Sequence, residues 1–231
     1  DIPEFPLLGD YLRHYAAEKP DALACADYGG RRLTYRELQH DVEAVKDALL
    51  RLNVAPGDIV AFLSEPSCDF WAAFLAIIDV GGIFLGLNPR YTRDELNTVV
   101  ARSKPKVVFM PQAIGDRSYS KEIHDLRAHA EASSEVVSFV DGHLQETIAE
   151  IRSEVSAAST LATSLDPHRP CVLVFTSGTT GQPKGALLRQ SGLIFCSRVN
   201  AHHHGRMGVK AITPSPINHV GSVCNIGGVS L

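Results

Sequence analysis

The stretch "CVLVFTSGTTGQPKGALL", residues 171–188, places a loop rich in glycine and hydroxyl residues between two apolar runs. Residues 171–175 predict a buried strand, and "GALL", 185–188, predicts a second, short strand. Between them lie only residues that are small, polar, turn-forming or cationic. These ten are Thr176, Ser177, Gly178, Thr179, Thr180, Gly181, Gln182, Pro183, Lys184 and Gly185. The segment therefore predicts a strand, a loop and a returning strand.

The composition of this loop is suited to binding a polyanion. Glycines at 178, 181 and 185 allow positive φ angles and a close backbone approach, so that successive N–H groups can converge on phosphate oxygens. The hydroxyl groups add hydrogen-bond donors, and Lys184 adds a positive charge next to the stiff Pro183. We predict that all ten residues from Thr176 to Gly185 bind phosphates and that Lys184 stabilises phosphate charge.

The loop differs from the Walker phosphate-binding loop. That pattern requires G-x-x-x-x-G-K-[ST] with a helix that starts at the lysine, whereas here Gly181-Gln182-Pro183-Lys184-Gly185 is followed by a strand. Ser191 is expected to cap the next helix only later. The alternative interpretation is a hydroxyl-rich hairpin turn with a solvated lysine. The unbroken run of ten residues favours phosphate binding over that alternative.

Outward from this loop, helix and strand patterns alternate. Asp10 is expected to cap a short helix that ends before Pro20, and Thr34 with Glu37 forms a capping box for a longer one. Apolar residues recur at helical spacing in the second helix, namely Leu38, Val42, Val45, Leu49 and Leu52. The residues expected to point outward from it are Glu37, Asp41, Lys46 and Arg51.

The remaining patterns complete a sheet. Strands are predicted at "DIVAFLS" (58–64), "IFLGL" (83–87), "KVVFM" (106–110) and "EVVSFV" (135–140). Between them, an apolar helix starts near Ser67 and stops at Gly81-Gly82, and Thr92 with Glu95 caps another helix after an Asn88-Pro89 turn. This alternation predicts an α/β fold with largely parallel sheets covered by helices on both faces. Residues 153–169 suggest a surface connection, so we expect an α/β subdomain at 1–165.

Composition excludes several classes of protein. The 231 residues are 45% hydrophobic, and 22 basic and 26 acidic side chains are interspersed, which leaves a net charge of -4 and no footprint for nucleic acid. The longest apolar run is interrupted by Asp79 and two glycines, so no transmembrane segment is predicted. Oligomeric state is left open. Metal ligands are not predicted, since the consecutive histidines 202–204 would point apart.

Cysteine usage indicates the compartment. The five cysteines are odd in number and widely spaced without a C-x-x-C pair: Cys25, Cys68, Cys171, Cys196 and Cys224. This pattern favours reduced thiols that act as small apolar residues in a cytoplasmic protein.

Four stretches resemble one family. "FTSGTTGQPKG" (175–185) is similar to the phosphate-loop signature of the adenylate-forming superfamily, which includes acyl-CoA synthetases, adenylation domains of peptide synthetases, and luciferases. "LTYREL" (33–38), "GGIFLGLNPRYTRDEL" (81–96) and "SPINHVG" (215–221) resemble further family motifs in the same order. The phosphate loop is the most specific of the four.

The resemblance implies a reaction and its partners. Such enzymes join a carboxylic acid to ATP with Mg²⁺, giving an acyl-adenylate and pyrophosphate, and then transfer the acyl group to a thiol such as that of coenzyme A. Because a carboxylate is already ionised at neutral pH, positioning and neutralisation of phosphate charge must supply most of the catalysis. The alternatives are an adenylation domain that loads a carrier protein and a non-catalytic nucleotide-binding module.

By the same resemblance, His219 lies beside the substrate carboxylate or gates its tunnel. A polar residue at a helix start is an equally good interpretation, and Asn218 replaces the family's usual aromatic neighbour. The family's later motifs and its small C-terminal domain are absent from the 231 residues. We therefore expect residues 166–231 to be the start of the ATP-phosphate and acyl-pocket region, truncated, and the chain to be an incomplete N-terminal domain.

Overall fold

The computed structural model of the protein describes residues 3–129, 134–155, 165–176 and 184–204. The helices in these ranges are α1 (Leu8–Glu18), α2 (Tyr35–Arg51), α3 (Cys68–Asp79), α4 (Arg93–Ser103), α5 (Ser120–His129), α6 (Leu144–Glu154) and α7 (Gln190–His204). The strands are β1 (Leu23–Ala26), β2 (Arg32–Thr34), β3 (Ile59–Leu63), β4 (Ile83–Leu87), β5 (Val107–Pro111), β6 (Ala113–Ile114), β7 (Arg117–Ser118), β8 (Glu135–Phe139), β9 (Pro170–Thr176) and β10 (Lys184–Arg189).

A six-stranded sheet in the order β10-β9-β4-β3-β5-β8 forms the centre of the molecule. Its strands run parallel except β10, which is antiparallel to β9. Two small antiparallel hairpins, β1-β2 and β6-β7, lie outside this sheet. The predicted α/β class and its largely parallel sheet are confirmed. The sheet runs across the predicted boundary at 165–166 because β9 pairs with β4, and that division itself stays a prediction.

Helices cover both faces of the sheet. One apolar cluster joins residues of α1, α2, α3, α6 and α7 to alternate strand residues such as Phe62, Phe84 and Phe109. The opposite cluster joins α4 and α5 to the intervening residues, such as Leu63 and Leu85. Since successive strand side chains point to opposite faces, a strand buried on both faces must be apolar throughout. This explains why the predicted central strands are continuous apolar runs rather than alternating ones.

Both predicted capping boxes are present. The Thr34 hydroxyl accepts a hydrogen bond from the Glu37 N–H at 3.3 Å, and the Glu37 carboxylate accepts one from the Thr34 N–H at 2.8 Å. Thr92 and Glu95 repeat this arrangement at the start of α4. These bonds satisfy N–H groups that the first turn of a helix otherwise leaves without partners.

Replacing Thr34 with alanine is expected to lower the free energy of unfolding by about 1 kcal/mol, because the cap of α2 loses its acceptor. Urea denaturation measures the change, with Thr98→Ala as a control, since Thr98 is exposed within α4 and its hydroxyl only donates to the Asp94 carbonyl of its own helix. Equal stability of the two variants would contradict the role of the cap.

The same pair gives an expected pH dependence. Hydrogen bonds from the Thr34 backbone and side chain lower the pKa of Glu37. A carboxyl whose pKa is lowered by folding contributes stability above its unfolded pKa and loses it as the pH falls through the folded pKa. The difference between the wild type and Thr34→Ala should therefore shrink in acid.

Three local predictions are wrong. Helix α1 starts at Leu8 after an N-cap Leu7 that provides no side-chain acceptor, and Asp10 lies in its first turn, where it pairs with Arg13 at 2.7 Å. Helix α7 begins at Gln190, so Ser191 lies within it rather than capping it, and its hydroxyl lies 3.2 Å from His168 Nδ1. Asp10 therefore pairs within its own helix, and Ser191 contacts a residue distant in sequence, instead of capping.

The third error concerns the outer side of α2. Asp41 and Lys46 were predicted to point outward, but their exposed fractions are 8% and 6%. Helix α2 packs against α1, α3 and α6, so a wider arc of it is covered than one apolar stripe indicates. Each buried charge has a partner: Asp41 pairs with Arg31 at 2.6 Å, and Lys46 pairs with Asp79 at 2.7 Å.

In the described part of the chain, no helix combines the length and the apolar character that a membrane crossing requires.

Candidate functional site

The phosphate-loop motif is carried by the hairpin of β9 and β10. Strand β9 lies beside β4 and parallel to it, and β10 returns antiparallel along the edge of the sheet. The predicted strand before the loop and the predicted returning strand after it are therefore confirmed. A β-hairpin presents its loop without a helix dipole, so the protein's contribution to binding an anion there would come from side chains and backbone N–H groups.

Thr176 and Lys184 form the neck of this hairpin. They are paired in register, and the Thr176 hydroxyl donates a hydrogen bond to the Lys184 carbonyl at 3.3 Å. This bond joins the last residue of β9 to the first residue of β10. The strand pairing and this side-chain bond therefore hold the two ends of the loop together.

Lys184 is available to bind an anion. Lys184 is exposed. Among the described residues, no carboxylate lies within ion-pair distance of its ammonium group. Arg31, by contrast, is held by the carboxylates of Asp41 and Asp69. A cation at the neck of the loop is in keeping with the phosphate binding that the sequence predicts.

Gly185 lies opposite Phe175 in the ladder and has a packing role. A Cβ atom at this position would lie 2.9 Å from Cδ1 of Leu173. Leu173 belongs to the apolar cluster beneath α4 and α5. A glycine here lets β10 approach β9 closely while Leu173 keeps its place in the core.

The hairpin opens at the carboxyl edge of the parallel strands. Because β4 and β9 are parallel neighbours, the turn after β4, residues 88–91, lies at the same edge as the loop. Ligand sites of open α/β sheets lie at this edge. Asn88 shapes the turn, since its side-chain oxygen accepts the Arg90 N–H at 2.9 Å.

Two residues that the sequence analysis did not identify hold this turn. Arg117 donates hydrogen bonds to the carbonyls of Pro89 and Tyr91, and the buried Tyr119 hydroxyl donates to the Pro89 carbonyl at 2.8 Å. Burial raises the pKa of Tyr119, which keeps its hydroxyl protonated as a donor. No local pattern marks these residues, because they reach the turn from a distant segment, Arg117 on β7 and Tyr119 just after it.

The other predicted site residues lie outside the described residues. Ser177, Gly178, Thr179, Thr180, Gly181, Gln182 and Pro183 complete the loop between β9 and β10, and His219 lies further along the chain. Their roles, and those of Thr176, Lys184 and Gly185 toward a ligand, stay predictions. The structure brings the two ends of the predicted phosphate loop together at one edge of the sheet.

Comparison with known proteins shows the family of the chain. The sequence model of the family described as "AMP-binding enzyme" matches residues 12–230. The chain is 27% identical over 220 residues to the medium-chain fatty-acid–CoA ligase of Escherichia coli (strain K12), covering 92% of this chain and 38% of that protein. It is 31% identical over 182 residues to the nonribosomal peptide synthetase ungA' of Aspergillus campestris (strain IBT 28561), covering 78% of this chain and 2% of that protein.

A solved structure shows the same fold. The crystal structure of ATP-bound MatB from Rhodopseudomonas palustris superposes with a TM-score of 0.74 at 24% sequence identity, covering 97% of this chain and 43% of that one. This chain thus spans less than half of the length of each of these three proteins. The resemblance of its motifs to the adenylate-forming superfamily is confirmed, and the chain belongs to the AMP-binding enzyme family.

Proposed function

We propose that the protein activates a carboxylic acid with ATP, giving an acyl-adenylate and pyrophosphate, and then transfers the acyl group to coenzyme A. The observation that carries the proposal is the β9-β10 hairpin, whose neck presents the exposed Lys184 without an acidic partner among the described residues. The bound ATP of the similar MatB structure supports the choice of nucleotide.

In this proposal the loop from Thr176 to Gly185 binds the phosphates of ATP. Charge accumulates on the phosphate oxygens as the substrate carboxylate attacks the α-phosphorus and pyrophosphate leaves. The Lys184 ammonium and the backbone N–H groups of the loop stabilise that charge. Mg²⁺ enters with ATP, because phosphate oxygens are its preferred ligands. His219 is proposed to lie beside the substrate carboxylate.

The acceptor of the acyl group is the finer part of the proposal. The relatives include both a CoA ligase and a peptide synthetase, so a carrier protein is the rival acceptor. The "LNPRYT" turn at 87–92 and the "SGTTGQPKGA" loop at 177–186 favour the CoA ligases. The division at residues 165–166 and a cytoplasmic location belong to the same proposal.

The acceptor is tested with the purified full-length protein. We expect AMP release to depend on both an organic acid and coenzyme A. Chromatography of the reaction mixture should then show the resulting thioester. A phosphopantetheinylated carrier protein should stay unloaded under the same conditions. Loading of the carrier without thioester formation on coenzyme A would overturn the CoA assignment and leave acid activation in place.

The non-catalytic alternative predicts a different result. A nucleotide-binding module would bind ATP in calorimetry but would show no acid-dependent exchange of pyrophosphate into ATP with any acid of a panel that ranges from acetate to long-chain and aromatic acids. That result would overturn acid activation itself.

A further inference from the structure

Two cysteines from separate elements meet beside the sheet. The Cys25 thiol, on β1, donates to the Cys68 sulfur at an Sγ–Sγ distance of 3.3 Å, and the Cys68 thiol donates to the Arg31 carbonyl at 3.8 Å. The register of β1 shifts between Leu23 and Cys25, as in a β-bulge. Bulges re-aim side chains. The shift explains how a short strand directs Cys25 toward the first residue of α3.

The contact is held by bonds that join the β1-β2 hairpin to α3. The Asp27 carboxylate accepts the Cys68 N–H at 3.2 Å and the Arg31 N–H at 3.0 Å. The Arg31 guanidinium in turn binds the carboxylates of Asp69 on α3 and Asp41 on α2. The backbones that carry the two thiols are therefore fixed relative to each other. A disulfide needs an S–S distance of about 2.05 Å, so the two sulfur atoms, now 3.3 Å apart, must move closer for the bond to form.

We propose that Cys25 and Cys68 form an oxidisable dithiol, a modification site that closes to a disulfide under a two-electron oxidant such as a peroxide. This inference is independent of the proposed function. Peroxide first converts the Cys25 thiol to a sulfenic acid and releases one water. The Cys68 sulfur then attacks the Cys25 sulfur, an S–S bond forms and the S–O bond breaks, and the Cys68 proton leaves with the hydroxyl as a second water.

The surroundings determine the order of these steps. Cys25 is half-buried, whereas Cys68 is 1% exposed. The hydrogen-bonded contact with Cys25, together with burial and the Asp27 charge, raises the pKa of the Cys68 thiol. A buried, protonated thiol is a poor target for an external oxidant. Oxidation therefore begins at Cys25, and Cys68 reacts only because it is already in contact.

The other described cysteines provide contrasts. Burial raises the pKa of Cys171 to about 12, and this thiol makes no contact with a second cysteine of the described part of the chain. Cys196 is half-buried on α7 and likewise has no cysteine beside it within the described ranges. If accessibility alone decided the reaction, Cys196 would be oxidised as readily as Cys25. A preformed pair predicts instead a disulfide between Cys25 and Cys68.

The test is peptide mapping of the purified full-length protein after treatment with hydrogen peroxide under non-denaturing conditions. We expect a peptide that links Cys25 to Cys68, lighter by about 2 Da than the two free peptides together and restored to them by dithiothreitol. Cys25→Ser should abolish the cross-link, whereas Cys196→Ser should leave its yield unchanged. The thermal midpoint should rise on oxidation in the wild type and in Cys196→Ser but not in Cys25→Ser.

Several results would overturn the proposal. Accumulation of sulfinic acid on Cys25 without a linkage would show that Cys68 does not resolve it. A linkage between Cys25 and Cys196, or no oxidation of Cys25 when the urea-unfolded protein oxidises readily, would show that the folded contact does not direct the reaction. Loss of the linkage in Cys196→Ser would place the chemistry elsewhere.

Discussion

Lys184→Ala in the full-length protein is expected to lower acid-dependent exchange between ATP and pyrophosphate by about 10²–10³-fold. Removal of one preorganised group that stabilises developing charge costs a factor of this size. Lys184 is the cation at the hairpin neck, where no described carboxylate competes for it. Negative charge on the phosphate oxygens develops as the transition state forms and pyrophosphate begins to leave. The loss should therefore fall mainly on the turnover number.

The matched control is Arg189→Ala. Arg189 is also cationic and exposed. It lies at the other end of β10 from Lys184, away from the loop. Its removal should leave exchange within about twofold of the wild type, because charges in this position are distant and screened. The double variant Lys184→Ala and Thr179→Ala also removes a loop hydroxyl and should exchange more slowly still. Unchanged exchange in the double variant would refute the role assigned to the loop.

Asp79→Ala is expected to lower the free energy of unfolding by about 3–5 kcal/mol, which is the cost of leaving a buried charge without its partner. The Asp79 carboxylate lies 2.7 Å from the Lys46 ammonium and 3.0 Å from the Arg13 guanidinium, so it joins α1, α2 and α3. Burial opposes the charge of Lys46, yet the hydrogen bonds to Asp79 and Glu43 raise its pKa above the usual value. Without Asp79 the ammonium would stay buried with only Glu43 beside it.

Urea denaturation of three variants separates the buried pair from its surroundings. Glu43→Gln changes the second, half-exposed partner of Lys46 and should cost less than about 1 kcal/mol, as surface ion pairs do. Replacing both members of the buried pair, Lys46→Met with Asp79→Leu, should recover most of the loss, since no charge is then left unpaired. A loss in Asp79→Ala no larger than in Glu43→Gln would contradict the buried ion pair.

The same cluster explains a glycine in α1. A Cβ atom at Gly9 would lie 2.3 Å from Asp79 Oδ1, so only glycine allows α1 to pass this close to the end of α3. The sequence alone shows a glycine inside a helical pattern, which ordinarily weakens the helix. Its reason appears only when α3 is packed beside it.

Local signals in the sequence were sufficient for most of the fold. The capping boxes at Thr34 and Thr92 and the apolar runs of β3, β4, β5 and β9 each depend on residues that are close in sequence. Partnerships between distant residues were missed. Burial of Asp41 and Lys46 depends on three neighbouring helices, and the contact of Cys25 with Cys68 depends on a bulge in a strand that no periodicity indicates.

The residues of the candidate site also divide into those that a local pattern marks and those that depend on distant partners. The sequence identified the phosphate loop because its ten residues are contiguous, and the structure brings Thr176 and Lys184 together at its neck. Arg117 and Tyr119 were missed because they bind the turn after β4 from a segment that is distant in sequence.

The order of strands in the sheet has a consequence for the way the chain folds. Strands β3 and β4 are joined through α3 alone and pair over five positions, whereas β9 meets β4 at only two, Phe84 with Val172 and Leu85 with Leu173. The second pairing closes a far longer loop, and its entropic cost must be met before those contacts form. We therefore expect the unit of β3, α3 and β4 to form first, and the hairpin that carries the phosphate motif to dock onto it at a late stage of folding.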